Sequence, residues 1–164
     1  MRVTPTLISI LLCVAFGAVE GVCAGPGVGE RLRALRVPRF SLPVWAWAGI
    51  GVIYYGGCLV ILRALFSPGL ISPLNVPAIG LVLVMMGWNA AWNYVFFRRQ
   101  DFRVSWLLTP PYSLVVLLTL VVVWRTRPSA VVWLIPYGLY QVYANFWVYS
   151  IWRLNEAPTT HAAA

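Results

Sequence analysis

The sequence predicts an all-α integral membrane protein, a bundle of five transmembrane helices forming a single domain over residues 1–164. Three observations carry that prediction. The chain is 61% hydrophobic and only 10% charged, with mean hydropathy +0.81, which leaves too little polar surface to coat a soluble globule. Its apolar residues fall in runs long enough to cross a bilayer as helices, separated by short segments rich in Arg, Gly and Pro. No stretch alternates polar and apolar residues as a membrane barrel strand does.

The first span is expected over residues 7–25, after a short head carrying Arg2. The same segment also reads as a cleaved signal peptide, with a basic start, an apolar centre and Val22-Cys23-Ala24 as a small-residue cleavage site. Against cleavage, Gly17, Gly21 and Gly25 recur at every fourth position and mark a helix-packing stripe that a second helix can approach closely. Glu20 lies inside this run. An intramembrane carboxylate is either functional or placed near a helix end, where it reaches the interface or an arginine.

Residues 26–44 read as a loop carrying Arg31, Arg33, Arg36 and Arg39. The second span, residues 45–66, opens on Trp45 and Trp47 as an interfacial belt and ends near Arg63, which can snorkel. Its Gly49, Gly51, Gly56 and Gly57 loosen the helix but permit close packing or ligand approach. After an uncharged turn over residues 67–75, Pro77 suits the first turn of a third span, residues 76–97. A basic link, Arg98 to Arg103, leads to the fourth span, residues 105–124. Pro110 and Pro111 predict a kinked first turn there, or a start displaced towards Thr109. The fifth span covers residues 129–152, with Arg153 at its end and a flexible tail over residues 156–164.

That last span is the most informative. From Trp133 to Asn155 it is almost uncharged, yet it holds Pro136 in mid-span and a file of Tyr, Trp, Gln and Asn. Such groups need partners in a dry medium, so the helix is expected to face protein or ligand and to form one wall of a binding site. Within it Tyr137, Tyr140 and Ala144 follow helical spacing and share a face, as do Asn89 and Trp92 in the third span. Taken alone, an aromatic stripe of this kind more often serves helix packing or interfacial anchoring.

The formal charge of +8 comes entirely from arginine. These arginines lie between apolar runs and act as topology signals, so no nucleic acid partner is implied. Arg31, Arg33, Arg36, Arg39, Arg98, Arg99, Arg103 and Arg153 fall on one side, against Arg2, Arg63, Arg125 and Arg127, which places the C-terminus in the cytoplasm. Cys13, Cys23 and Cys58 have no CxxC spacing and read as buried free thiols. His161 stands in the tail and Asp101 in a loop, so no metal site or nucleophile constellation is expected, and hydrolysis or metal redox chemistry is disfavoured.

At this level the chain resembles the translocator protein or tryptophan-rich sensory protein family (TspO/MBR). In the third span Asn89, Ala90, Ala91, Trp92, Phe96 and Phe97 match the pattern LN-x-x-W-S-P-x-FF, from which Trp88, Asn93 and Tyr94 depart. In the last span Pro136, Tyr137, Ala144, Leu154 and Asn155 keep the family register, with Tyr140 for a Trp, Tyr143 for a Phe and Val148 for an Asn. Pro38, Phe40 and Pro43 resemble the first-loop segment, Trp45 and Tyr55 fall on the second helix's Trp and Tyr, and Gly51 replaces a characteristic Trp.

The resemblance implies a five-helix bundle, often a homodimer, that binds tetrapyrroles such as protoporphyrin IX or haem and, in some members, cholesterol. No cofactor is required. The ligand-binding set it implies is Phe40, Trp45, Tyr55, Asn89, Trp92, Tyr137, Tyr140 and Ala144, with Arg36 and Arg39 as candidate propionate contacts and Tyr149 and Arg153 as candidate sterol contacts. The strict sterol pattern fails here, because no Leu or Val stands in the permitted window before Tyr149, so tetrapyrrole ranks above sterol. Light-dependent porphyrin breakdown, with Trp92 as electron or hydrogen donor, and a regulatory membrane scaffold are the alternatives. A bacterial inner membrane and a mitochondrial outer membrane both suit these spans.

Overall fold

Every apolar run becomes a helix because a backbone in hydrocarbon must satisfy its own polar groups. The computed structural model describes residues 4–67 and 73–156, and no strand occurs among them. The helices are α1 (Pro5–Ala24), α2 (Val28–Ala34), α3 (Val44–Phe66), α4 (Val76–Asn93), α5 (Phe102–Thr126), α6 (Pro128–Val131) and α7 (Ile135–Asn155). Arg2, most of the turn after Ser67 and the tail beyond Glu156, with His161, lie outside the described residues.

Among the described residues, four helical stretches are long and apolar enough to cross a membrane: Pro5–Ala24, Val44–Phe66, Pro73–Arg98 and Phe102–Thr126. α7, at 21 residues, equals them in length. It falls short in apolarity because Tyr137, Tyr140, Gln141, Tyr143 and Asn145 dilute it.

Local chemistry sets the boundaries. Thr4 caps α1 by accepting the Leu7 N–H at 3.3 Å, and Pro5 fills the first turn, where no N–H is needed. Gly25, at φ +72°, ends this helix, so it turns the chain and adds nothing to the glycine stripe. The segment expected as a plain loop after it contains the short helix α2, and Glu30 in its first turn suits the positive end of the dipole. α4 closes in a single π turn, Tyr94–Arg98, which re-aims Phe96 and Phe97 relative to the helix before them.

Two expectations are corrected. α5 starts at Phe102, not near Thr109, because Asp101 caps it by accepting the Val104 N–H at 3.0 Å. The helix then runs on through Pro110 and Pro111, which deprive the Trp106 and Leu107 carbonyls of their usual donors. The indoles of Trp88 and Trp92 donate to the adjacent carbonyls of Leu108 at 3.3 Å and Ser105 at 3.1 Å, and so supply donors from a neighbouring helix along this stretch. The last span is likewise not continuous from Ser129. α6 and α7 are separate, and Pro136 stands in the first turn of α7, where it breaks no hydrogen bond.

α5 packs between α4 and α7, while α1 lies against α3 and α4. Tyr54, Cys58, Ile61, Leu62, Leu65, Met85, Met86 and Val116 fill one core, and Phe96, Trp147, Val148 and Ile151 fill a smaller one at the end nearest α2. Gly57 lets α3 approach the chain at Trp133, whose carbonyl oxygen would stand 2.9 Å from an added Cβ.

The segment between α2 and α3 is clamped over this end. The Leu42 N–H donates to the Tyr143 hydroxyl at 3.1 Å, Trp147 Nε1 to Ser41 Oγ at 2.9 Å, and Trp47 Nε1 to the Leu42 carbonyl at 3.1 Å. Asn155 pairs with the Arg36 backbone in both directions, at 3.0 and 2.9 Å. Removing that amide by Asn155→Ala is expected to cost only about 1 kcal/mol, since both bonds are exposed. Its measurable effect is faster tryptic cleavage after Arg36 in otherwise folded protein. Unaltered cleavage would place the whole clamp in Tyr143 and Trp147.

Candidate functional site

Between the two cores lies a cavity of about 310 Å³, roofed by Val28 and Leu32 of α2. Its walls are aromatic: Trp47 and Tyr54 from α3, Trp92 from α4, Phe97 from the π turn, and Tyr137, Tyr140 and Trp147 from α7. A smaller cavity of about 40 Å³ shares Asn89, Trp92, Tyr137, Tyr140 and Trp147 with it and reaches to Thr109, Gln141 and Ala144.

The rings are held by one another and by hydrogen bonds. Trp92 stacks on Phe96 at 4.8 Å, and its indole N–H is shared between the Ser105 carbonyl at 3.1 Å and Thr109 Oγ1 at 3.0 Å. Trp47 packs against Trp147 at 4.6 Å and meets Tyr140 edge-on at 6.0 Å. The Tyr112 and Tyr137 hydroxyls bond each other at 2.8 Å. The Tyr54 hydroxyl, fully buried nearby, closes no hydrogen bond among the described residues.

One carboxylate enters the wall. Glu20 Oε2 accepts from the Tyr55 hydroxyl at 2.7 Å and from Asn89 Nδ2 at 2.8 Å, while Oε1 accepts from Asn93 Nδ2 at 3.1 Å. It forms no ion pair with an arginine among the described residues, and it lines the cavity. Gly17, three positions before it, lets the Tyr55 ring come within 3.7 Å of where a Cβ would stand, whereas Gly21 faces open space.

A model of the TspO/MBR family matches residues 9–153, nearly the whole chain. The chain belongs to the TspO/MBR family. No curated protein matches it. Membership makes it an integral membrane protein related to porphyrin and sterol translocators or sensors.

In this TspO/MBR protein Asn89, Trp92, Tyr137 and Tyr140 come together in the cavity wall. Ala144 borders only the smaller cavity. Tyr55 stands behind the wall, orienting Glu20, while its neighbour Tyr54 lines the cavity. Trp45 is 78% exposed and turned outward; Trp47, two positions on, takes the inward place, as a helix requires of residues about 200° apart. Phe40 is half exposed and meets Tyr143 edge-on. Arg36 and Arg39 are exposed, and no arginine among the described residues lines the cavity. Tyr149 joins a surface cluster with Trp106 and Trp152, and Arg153 lies over Trp152 at 5.7 Å.

Sequence reasoning missed Trp47, Tyr54, Asn93 and Trp147 as wall residues and left the role of Glu20 open. For Asn93 and Glu20 a signal existed. Asn89 and Asn93 lie one helical turn apart in an apolar run, and an intramembrane carboxylate needs donors of that kind.

Proposed function

We propose that this TspO/MBR protein holds a flat, largely apolar ligand of the tetrapyrrole class in the aromatic cavity and serves in its carriage or sensing. The observation that supports this is the wall itself, to which Trp47, Trp92, Tyr140 and Trp147 contribute aromatic surface while Asn89 and Glu20 supply a few fixed polar atoms. At about 310 Å³ the space is at the lower end of the range of small-molecule sites, so it takes part of a macrocycle and leaves polar edges outside. Gly51 adds to that space, since nothing lies within 4 Å of a Cβ built there. Propionates on such a ligand would lie outside the wall, towards the segment bearing Arg36 and Arg39. A sterol is the second reading, favoured only by the aromatic surface of Trp106, Tyr149 and Trp152.

In the same reading α7 is the fifth span, with Tyr137 and Gln141 turned to protein and its end in the cytoplasm, as the arginine bias requires. The test is a titration of purified, detergent-solubilised protein with protoporphyrin IX in the dark, following tryptophan fluorescence. Saturable quenching is expected, because three indoles line the cavity. Folded protein without saturable quenching overturns the tetrapyrrole reading.

A further inference from the structure

We infer that Glu20 makes this cavity selective for a flat apolar ligand bearing a cationic or N–H-donating nitrogen, and selective against one that brings a carboxylate to the same wall. This rests on the ligand-binding reading above and specifies the chemistry of the ligand.

The carboxylate is held, but its charge is not neutralised. Tyr55, Asn89 and Asn93 donate three hydrogen bonds to it, which fix its orientation and leave Oε1 with room for another donor. No cation compensates it, since the one ion pair among the described residues is Arg153 with Glu156 at 3.7 Å, on the exposed surface. Arg31, beyond the end of α1, directs Nη1 to the carbonyls of Ala24 at 3.1 Å and Phe97 at 2.8 Å, not to Glu20. All three donors to Glu20 are neutral amides or a hydroxyl, so none of them brings a positive charge to the carboxylate.

The rest of the lining acts in the same direction. Trp47, Trp92, Tyr140 and Trp147 line the cavity, and an aromatic lining attracts a desolvated cation wherever a ring face meets it, as aromatic cages for ammonium groups do. A nitrogen cation gains both the carboxylate and the rings. A ligand carboxylate brought beside Glu20 meets a second acidic group and finds no guanidinium among the described residues of the wall to offset the repulsion.

The test uses the full chain in detergent, protoporphyrin IX as a reference probe, and three probes of one flat ring system small enough to enter the cavity whole: naphthalene-2,6-dicarboxylic acid, its dimethyl ester and 2,6-bis(aminomethyl)naphthalene. In the native protein the amine is expected to bind most tightly and the diacid most weakly, with roughly tenfold between amine and ester. Glu20→Gln should remove most of that tenfold preference, with circular dichroism confirming the fold. The native series decides the sign even if that variant does not fold. Equal affinities for the three probes, or tightest binding by the diacid, overturn the role of Glu20 while leaving the cavity as a ligand site. Absence of saturable binding by any probe overturns both readings.

Discussion

Trp92→Ala is expected to abolish saturable porphyrin quenching and to destabilise the folded protein by about 3–5 kcal/mol, the range for removing a large packed aromatic. Both effects have one origin. The indole stacks on Phe96 at 4.8 Å, and its N–H joins α4 to α5 through the Ser105 carbonyl and Thr109 Oγ1. Its removal therefore opens the cavity wall and also takes away the hydrogen bonds that tie α4 to α5 beside the proline pair. Trp92→Phe separates the two contributions. It keeps a ring against Phe96 but not the donor, so the melting temperature should fall while weaker, still saturable quenching remains. Native affinity in folded Trp92→Ala protein would remove Trp92 from the ligand wall.

The second large effect is structural and arises at a glycine. In Gly57→Ala the new methyl would stand 2.9 Å from the Trp133 carbonyl oxygen and 3.3 Å from its carbon. Both atoms are backbone at the approach to α7, so they yield only if that junction moves. We expect a net loss of about 1–3 kcal/mol from overpacking, after the roughly 0.5–1 kcal/mol that Ala gains over Gly within a helix. Gly56→Ala is the control, because nothing lies within 4 Å of its added Cβ and the propensity gain stands alone. Thermal unfolding in detergent should lower the midpoint for the first variant and leave or raise it for the second. Equal midpoints would show that α3 and the Trp133 backbone part without cost.

Much of the site could be read before the fold was known, and particular residues show where reading stopped. Asn89, Trp92, Tyr137 and Tyr140 were legible because their three-residue spacings place each pair on one helix face and their types are costly to point at lipid. Trp45 and Trp47 were not separable, since both are aromatic residues at a helix start; only the rotation of α3 turns Trp47 inward and leaves Trp45 78% exposed. The proline signals were read correctly as residues but misplaced in consequence. Asp101 sets the start of α5 despite Pro110 and Pro111, and Pro136 opens a helix instead of interrupting one.

By itself the sequence determined that the chain is helical and membrane-bound, and roughly where its spans lie. Length and hydropathy suffice for that, because in hydrocarbon each segment must satisfy its own backbone. Only the tertiary structure decided which polar groups meet. Glu20, Tyr55, Asn89 and Asn93 come from three helices far apart in the chain, and their convergence depends on helix rotation and depth. Those are set by the close contact at Gly57 and by the ring packing of α3 against α7, interactions between segments that no periodicity within one segment records.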